Sequence, residues 1–420
     1  MREIKPSKHL NVIVKVPGSK SYTQRALAIA TLAEGESVLR NALQSDDTDH
    51  LITALRVLGA EIDVREDDIL VKGTAGRIGN PHREIYLGNN GTAIRLLSSI
   101  VCLGEGPFTL TGDDRLCKRP VRPLIDALKM MGAEIGTRDK MGFPPVTVRA
   151  HGLRGGDVVL REISSSQYIS SLLISGALTE KGCNVRIQGP VPSRPYVDMT
   201  METMREFGVE AAAVGSDTYR VRGKQRYRGI PYDIEGDVST ASYFFLAAAL
   251  SKGTVRVENI RPATMQGDIR LLAIMEKMGV RFTRSRNSVT ATAGRLDDGD
   301  HEFDLGDMPD MVPTLAVLSA VRNGRTAIFN VSHLRVKESD RIAALVNELR
   351  RVGAGAEELE DGLVINGGNL HGADIETYDD HRIAMGFAIL GLAVPGIRIK
   401  NPSCVRKSFP GFWDELGRWC

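Results

Sequence analysis

One pattern recurs six times along the 420 residues, and it constrains the fold more than any single motif. A small apolar helix rich in Ala, Leu and Ser runs into a Gly-containing turn and then a β-rich stretch. The copies are RALAIATLAEGESVLRNAL from Arg25, AIRLLSSIVCLGEGPFTLTG from Ala93, YISSLLISGALTEKGCNVRIQGP from Tyr168, ASYFFLAAALSKGTVRVENI from Ala241, TLAVLSAVRNGRTAIFNVS from Thr314 and RIAMGFAILGLAVPGIRIKN from Arg382. Their starts lie roughly 72 residues apart, too long an interval for ordinary solenoid repeats. A second helix follows, usually ending at glycine, as in LITALRVLGAEI, LIDALKMMGAEI, METMREFGVE, LLAIMEKMGV and LVNELRRVGAG. Glycine takes the left-handed turn that stops a helix. A β-like run such as DILVKG, TYRVRG or GLVING then closes the unit.

Each unit therefore reads βαβαββ, with the sixth cut short at FPGFWDELGRWC. Six α/β units of this kind make two domains of three. The N-terminal strand LNVIVKV is expected to complete the C-terminal domain, because the last unit lacks a final strand of its own. That places residues 1–18 with 236–420, carrying repeats four to six, and leaves 19–235 with repeats one to three.

Bulk properties exclude several classes. A net charge of +2 sets up no global field for nucleic acid. The cysteines at 102, 117, 183, 404 and 420 are odd in number and form no CxxC, which fits a reducing compartment and argues against a disulfide framework or zinc site. MREIKPSKHLNVIVKV has no apolar stretch of signal-peptide length, and ASYFFLAAAL is too short to span a bilayer. The reading is a cytoplasmic protein with no membrane or nucleic-acid partner. The eight histidines form no ligand cluster, and neither GxxxxGK[ST] nor GxGxxG occurs. Cys117 sits between cations, and a spectator thiol is the favoured reading of it.

Ligands gather at the carboxyl ends of strands in α/β sheets, so the loops before the helices are where chemistry is expected. PGSKSYTQRA poses the question directly: Ser19 stands where a helix cap belongs, yet Lys20 and Arg25 follow at the positive end of the helix dipole. Cations recur in the other loops at Arg119, Arg194, Lys337, Arg341, Arg382 and Lys407, with carboxylates at Asp310, Glu338 and Asp380. Capping is a natural part of the role of Asp310 and Asp380. Eight cations at corresponding loop positions point to bound anions, which helix starts hold through free N–H groups and which Lys and Arg hold more strongly.

PGSKSYTQRA, LGNNGTAIR, DDRLCKRP, SSQY, SRPY, DMPD, RVKESDR, DDHR and KSFP occur in that order from Pro17 to Pro410. The series resembles the 5-enolpyruvylshikimate-3-phosphate synthase family of enolpyruvyl transferases. The resemblance implies two globular domains, inside-out α/β barrel-like, each of three repeats and joined by two crossover strands. It implies transfer of the enolpyruvyl group of phosphoenolpyruvate to the 5-hydroxyl of shikimate 3-phosphate in an interdomain cleft, on the shikimate route to aromatic amino acids. A monomer without metal or organic cofactor is implied, with glyphosate as a possible inhibitor. Carried onto this sequence, Lys20, Ser21, Arg25, Ser165, Ser166, Gln167, Ser193, Asp310, His333 and Lys337 would hold shikimate 3-phosphate. Lys20, Gly91, Arg119, Gln167, Lys337, Arg341, Arg382 and Lys407 would hold phosphoenolpyruvate. Asp310, Glu338 and Lys20 would be catalytic, the first taking the hydroxyl proton and the others handling the proton at C3.

The sequence departs from the family's commonest pattern at Asn90, where Ala is usual, at Leu96, where Pro is usual, and at His333, where Asn is usual. The sister transferase acting on UDP-N-acetylglucosamine is the nearest alternative. It typically places a reactive Cys on a longer loop before its Arg-Pro, whereas Cys117 stands only two residues before Arg119.

Overall fold

A computed structural model describes residues 1–420 apart from 67, 140 and 420, so Cys420 lies outside the described residues. The chain forms two compact units, one of residues 18–234 and one of 1–17 with 235–420. The first unit contains helices α1 (Lys20–Leu32), α2 (Asp46–Val57), α3 (Gly91–Ile100), α4 (Arg122–Met130), α5 (Gln167–Gly176) and α6 (Pro195–Glu206). The second contains α7 (Val238–Leu250), α8 (Leu271–Lys277), α9 (Val312–Ala320), α10 (Arg341–Arg351), α11 (His381–Leu390) and α12 (Phe412–Gly417). Among the described residues no helix is long and apolar enough to cross a membrane.

The repeat predicted from sequence is the repeat found. Strand Gly156–Arg161 lies parallel to Cys183–Gln188, with Val158 opposite Val185. Thr218–Val221 lies antiparallel on Cys183–Gln188, and Ala211–Val214 forms the edge. Among the described residues, five four-stranded sheets share this order. The five glycines that end the second helices, at 59, 132, 208, 279 and 353, have φ of 108°, 94°, 85°, 98° and 92°, the left-handed turn that glycine takes without steric cost.

Two sheets borrow a strand across the chain. Asn11–Lys15, just before α1, pairs with Thr254–Glu258 of the fourth repeat. Pro231–Asp233, just before α7, pairs with Glu36–Arg40 of the first. The sixth sheet has three strands, and Arg2–Glu3 lies antiparallel on Arg398–Ile399 where its hairpin would otherwise stand. The turn into α1 is tight: a Cβ on Gly18 would lie 1.8 Å from the Asn41 carbonyl oxygen.

The first helix of each repeat is buried on nearly every side, as with α9 throughout and α7 from Val238 to Ala249. Small residues permit this, and their hydroxyls find partners on neighbouring helices, as buried polar groups must. Ser171 donates to Ser99 Oγ at 2.8 Å, and Ser99 Oγ lies 2.7 Å from Ser175 Oγ, joining α3 to α5. Ser242 and Thr314 meet at 2.7 Å between α7 and α9. Both Ser99–Ser171 and Ser242–Thr314 are 72 residues apart, so the repeat interval reappears as a contact. The second helices are amphipathic: α10 buries Ile342, Leu345, Val346 and Leu349, as a helix on the outside of a core does.

Candidate active site

In the unit of residues 18–234, the two cations of the opening motif diverge. Lys20, the first residue of α1, lies 3.4 Å from Asp47 Oδ2 at the start of α2. Arg25, one turn further on, is 1% exposed. Its Nε donates to Thr200 Oγ1 at 2.7 Å, and its Nη atoms donate to the carbonyls of Ser21 at 2.9 Å and Tyr196 at 3.1 Å. Burial pushes its pKa down to about 10, and its electrostatic neighbours are Tyr196, Tyr22 and Tyr232 rather than carboxylates. Arg25 is thus a cation at neutral pH, buried against neutral oxygens.

Asn90 caps α3 by accepting from the Ala93 N–H at 2.9 Å, and its amide donates to the Asp47 carbonyl at 2.7 Å. The starts of α2 and α3 are therefore tied together. Over the start of α3 lies Arg119, buried, whose Nη1 donates to the Asn89 carbonyl at 3.3 Å. A Cβ on Gly91 would come within 2.4 Å of the Arg119 Cζ, so glycine there makes room for the guanidinium. Ser165, Ser166 and Ser193 are all buried. Ser193 holds a left-handed φ of 57° just before α6.

In the other unit Asp310, Glu338, Asp380, Arg341 and Arg382 form one network. Arg341, 1% exposed, donates from Nε to Asp380 Oδ2 at 2.7 Å, from Nη1 to Asp310 Oδ1 at 2.9 Å and from Nη2 to Glu338 Oε2 at 2.7 Å. Arg382 Nη2 donates to the second oxygen of Asp310 at 2.7 Å. Asp380 also accepts from Ser339 Oγ and caps α11 through the Arg382 N–H. Burial alone would raise the Asp310 carboxyl, but Arg382, Arg341 and Lys337 outweigh burial and hold it well below the usual carboxylate range. The His333 ring is pushed down to about 3 by burial and by Lys337, so it is neutral. Its Nε2 is buried with no hydrogen-bond partner among the described residues. Lys407 is buried at the end of the turn Pro402–Lys407, which packs on α11. Among the described residues, no group of three or more His, Cys, Asp or Glu side chains is arranged to hold a metal ion.

The sequence model of one family, EPSP synthase (3-phosphoshikimate 1-carboxyvinyltransferase), matches residues 4–416. The chain belongs to this family. It is 40% identical over 420 residues to the 3-phosphoshikimate 1-carboxyvinyltransferase of Serratia proteamaculans (strain 568), covering 99% of this chain and 97% of that one. With the protein of the same name from Syntrophobacter fumaroxidans it shares 42% over 418 residues, covering 99% and 98%. The solved EPSP synthase of Acinetobacter baumannii superposes with a TM-score of 0.83 at 27% identity, covering 100% of this chain and 97% of that chain.

The EPSP synthase motifs act in part differently from their sequence reading. Ser19 occupies the cap position of α1, but its side chain makes no capping hydrogen bond. Asp310 caps no helix either, because both its oxygens are taken by Arg341 and Arg382. Sequence reasoning missed Arg95, which donates to Gln167 Oε1 at 2.6 Å and Ser165 Oγ at 3.3 Å. Gln167 in turn donates to Thr92 at 2.8 Å, so Arg95 fixes two predicted binding residues at once. The available signal was a lone charged residue in a helix whose other residues are apolar, small or hydroxyl-bearing. Cys117 is half-buried, with Sγ 3.7 Å from the Gly112 carbonyl.

Proposed function

We infer that this chain transfers the enolpyruvyl group of phosphoenolpyruvate to the 5-hydroxyl of shikimate 3-phosphate and releases phosphate. One observation supports this above the others: both oxygens of Asp310 are gripped by arginines, Arg341 and Arg382, which the family motifs assign to phosphoenolpyruvate. A carboxylate held this low is a weak base. When an anionic substrate takes up those guanidinium groups, their hold on Asp310 weakens and its proton affinity rises. The base becomes competent only once the substrate to be attacked is bound.

The reaction is addition followed by elimination. The 5-hydroxyl oxygen bonds to C2 of phosphoenolpyruvate as Asp310 takes the hydroxyl proton, and a proton is delivered to C3. The tetrahedral adduct then loses phosphate from C2 and a proton from C3, restoring the double bond. Glu338 and Lys20 handle the C3 proton in both directions. Arg25, Ser165, Ser166, Gln167, Ser193, His333 and Lys337 hold shikimate 3-phosphate. Arg119, Arg341, Arg382 and Lys407 hold phosphoenolpyruvate and stabilise charge as phosphate leaves. The reading also takes the protein as a cytoplasmic monomer open to glyphosate in the phosphoenolpyruvate site.

A phosphate-release assay tests this. Release is expected with phosphoenolpyruvate and shikimate 3-phosphate together, and from neither alone. Release with UDP-N-acetylglucosamine in place of shikimate 3-phosphate, or none with the expected pair, would overturn the assignment.

A further inference from the structure

The apolar face of α10 contains one residue that its packing does not explain. Glu348 lies among Leu345, Val346 and Leu349 and is 0% exposed. A carboxylate buried in an apolar face is costly unless every oxygen is satisfied. Both are. Oε2 accepts from the backbone N–H of Glu376 at 3.1 Å and is ion-paired with Arg351 Nε at 2.9 Å, and Oε1 accepts from the Tyr378 hydroxyl at 2.9 Å.

The segment that Glu348 grips is the one that delivers the DDHR motif. Tyr378 and Asp379 both have left-handed backbone, with φ of 54° and 53°. Two successive non-glycine residues in that region are unfavourable, and such a conformation persists only when its surroundings over-determine it. Three ties do so here. The Tyr378 hydroxyl is held by Glu348, the Asp379 carboxylate accepts from Asn401 Nδ2 at 2.9 Å, and the Asp380 N–H donates to the Thr377 carbonyl at 2.8 Å. Asp380, the next residue, caps α11 and receives Arg341 from the first position of α10. Arg341 and Glu348 are seven residues apart on α10, two turns, and so share a face of the helix. One helix thus grips the DDHR segment at both ends.

We propose that Glu348, through Tyr378, is a positioning residue for phosphoenolpyruvate: it clasps the turn 376–380 so that Asp380 and Arg382 meet Arg341 and Asp310 in register. The proposal rests on the assignment of Arg382 to phosphoenolpyruvate.

Three variants test it. Tyr378→Phe removes one hydroxyl from a residue that is 40% exposed, so it opens no cavity and its direct effect is the loss of the donor to Glu348 Oε1. It is expected to raise KM for phosphoenolpyruvate by roughly tenfold, the size of one hydrogen bond to a charged group, with KM for shikimate 3-phosphate unchanged within twofold. Glu348→Ala should raise the same KM further, and Glu348→Gln, which keeps an acceptor oxygen, should fall between. A general loss of packing would move both KM values together. Hydrogen exchange supplies a readout independent of turnover: amides of 376–382 should exchange faster in Tyr378→Phe than in the parent chain. Unchanged exchange there, or an unchanged KM for phosphoenolpyruvate in an active Tyr378→Phe, would overturn the clasp. Inactivity of the parent chain would instead overturn the reaction assignment, and the exchange comparison would still decide the clasp.

Discussion

Replacing Arg341 by methionine removes the charge at the centre of the carboxylate network while keeping most of the side-chain volume. Arg341 is 1% exposed and donates to Asp310, Glu338 and Asp380. Breaking a buried ion pair by removing one partner costs about 3–5 kcal/mol, because the other charge stays buried. For a unit of about 200 residues each kcal/mol shifts Tm by about 2–4 °C, so a loss of roughly 6–20 °C is expected at neutral pH. The pH dependence has a definite sign. Asp310 has a folded pKa below its unfolded value, so its pairing contributes fully above the unfolded pKa and is lost as pH falls through the folded one. Without Arg341, burial raises Asp310 against fewer cations. Protonation at lower pH then relieves the defect, and the gap between parent and variant should narrow in acid. Thermal unfolding followed by circular dichroism at pH 7.5 and pH 5 measures both effects. A loss below about 1 kcal/mol at pH 7.5, or an equal gap at the two pH values, would refute the network as an electrostatic unit.

Three further outcomes are expected. Gly91→Ala should raise KM for phosphoenolpyruvate and leave calorimetric binding of shikimate 3-phosphate unchanged, since its Cβ would come within 2.4 Å of Arg119 Cζ; equal KM values in the two proteins would show that Arg119 is free to shift. Arg25→Ala should weaken calorimetric binding of shikimate 3-phosphate by roughly 10- to 100-fold, the loss of a charge-assisted contact, and unaltered affinity would remove Arg25 from that site. Asp268, buried beside Asp310 and hydrogen-bonded by Ser239, has a carboxyl pushed up to about 7, chiefly by burial and then by Asp310. A raised carboxylate pKa means the folded state holds the proton more tightly, so stability falls as pH rises from about 4 through 7. Urea titrations should therefore show the parent losing about 2 kcal/mol relative to Asp268→Asn between pH 5.5 and 8, and parallel curves would contradict this.

The repeat was legible because it rests on local chemistry. Glycines 59, 132, 208, 279 and 353 end helices by a backbone rule that acts within a few residues. The loops that gather cations were legible as unusual because cations at helix starts run against the dipole. What escaped was long-range partner choice. The lack of a strand in the last unit points LNVIVKV to the C-terminal domain, but Asn11–Lys15 pairs with the fourth repeat and Arg2–Glu3 with the sixth, and no local propensity records that Pro231–Asp233 pairs with the first. Arg95 was passed over because its partners, Ser165 and Gln167, lie 70 and 72 residues away. Asp310 was read partly as a cap because an acid before an apolar helix has that meaning locally; two distant arginines give it another.

The borrowed strands have a consequence for how the gene can be cut. The first strand and the last helix of the chain are neighbours: the Arg2 guanidinium sits 4.9 Å from the Trp413 ring centroid, and Ser7 Oγ donates to the Trp419 carbonyl at 2.7 Å. A short linker from the last residues to the first, with new ends opened between Ile234 and Glu235, yields a circular permutant that reads 235–420, then 1–234. Each unit is then continuous, and a single junction at Pro17–Gly18 replaces two crossings. One protease site at that junction would release residues 18–234 with every strand of their three sheets, because Pro231–Asp233 travels with the fragment it completes.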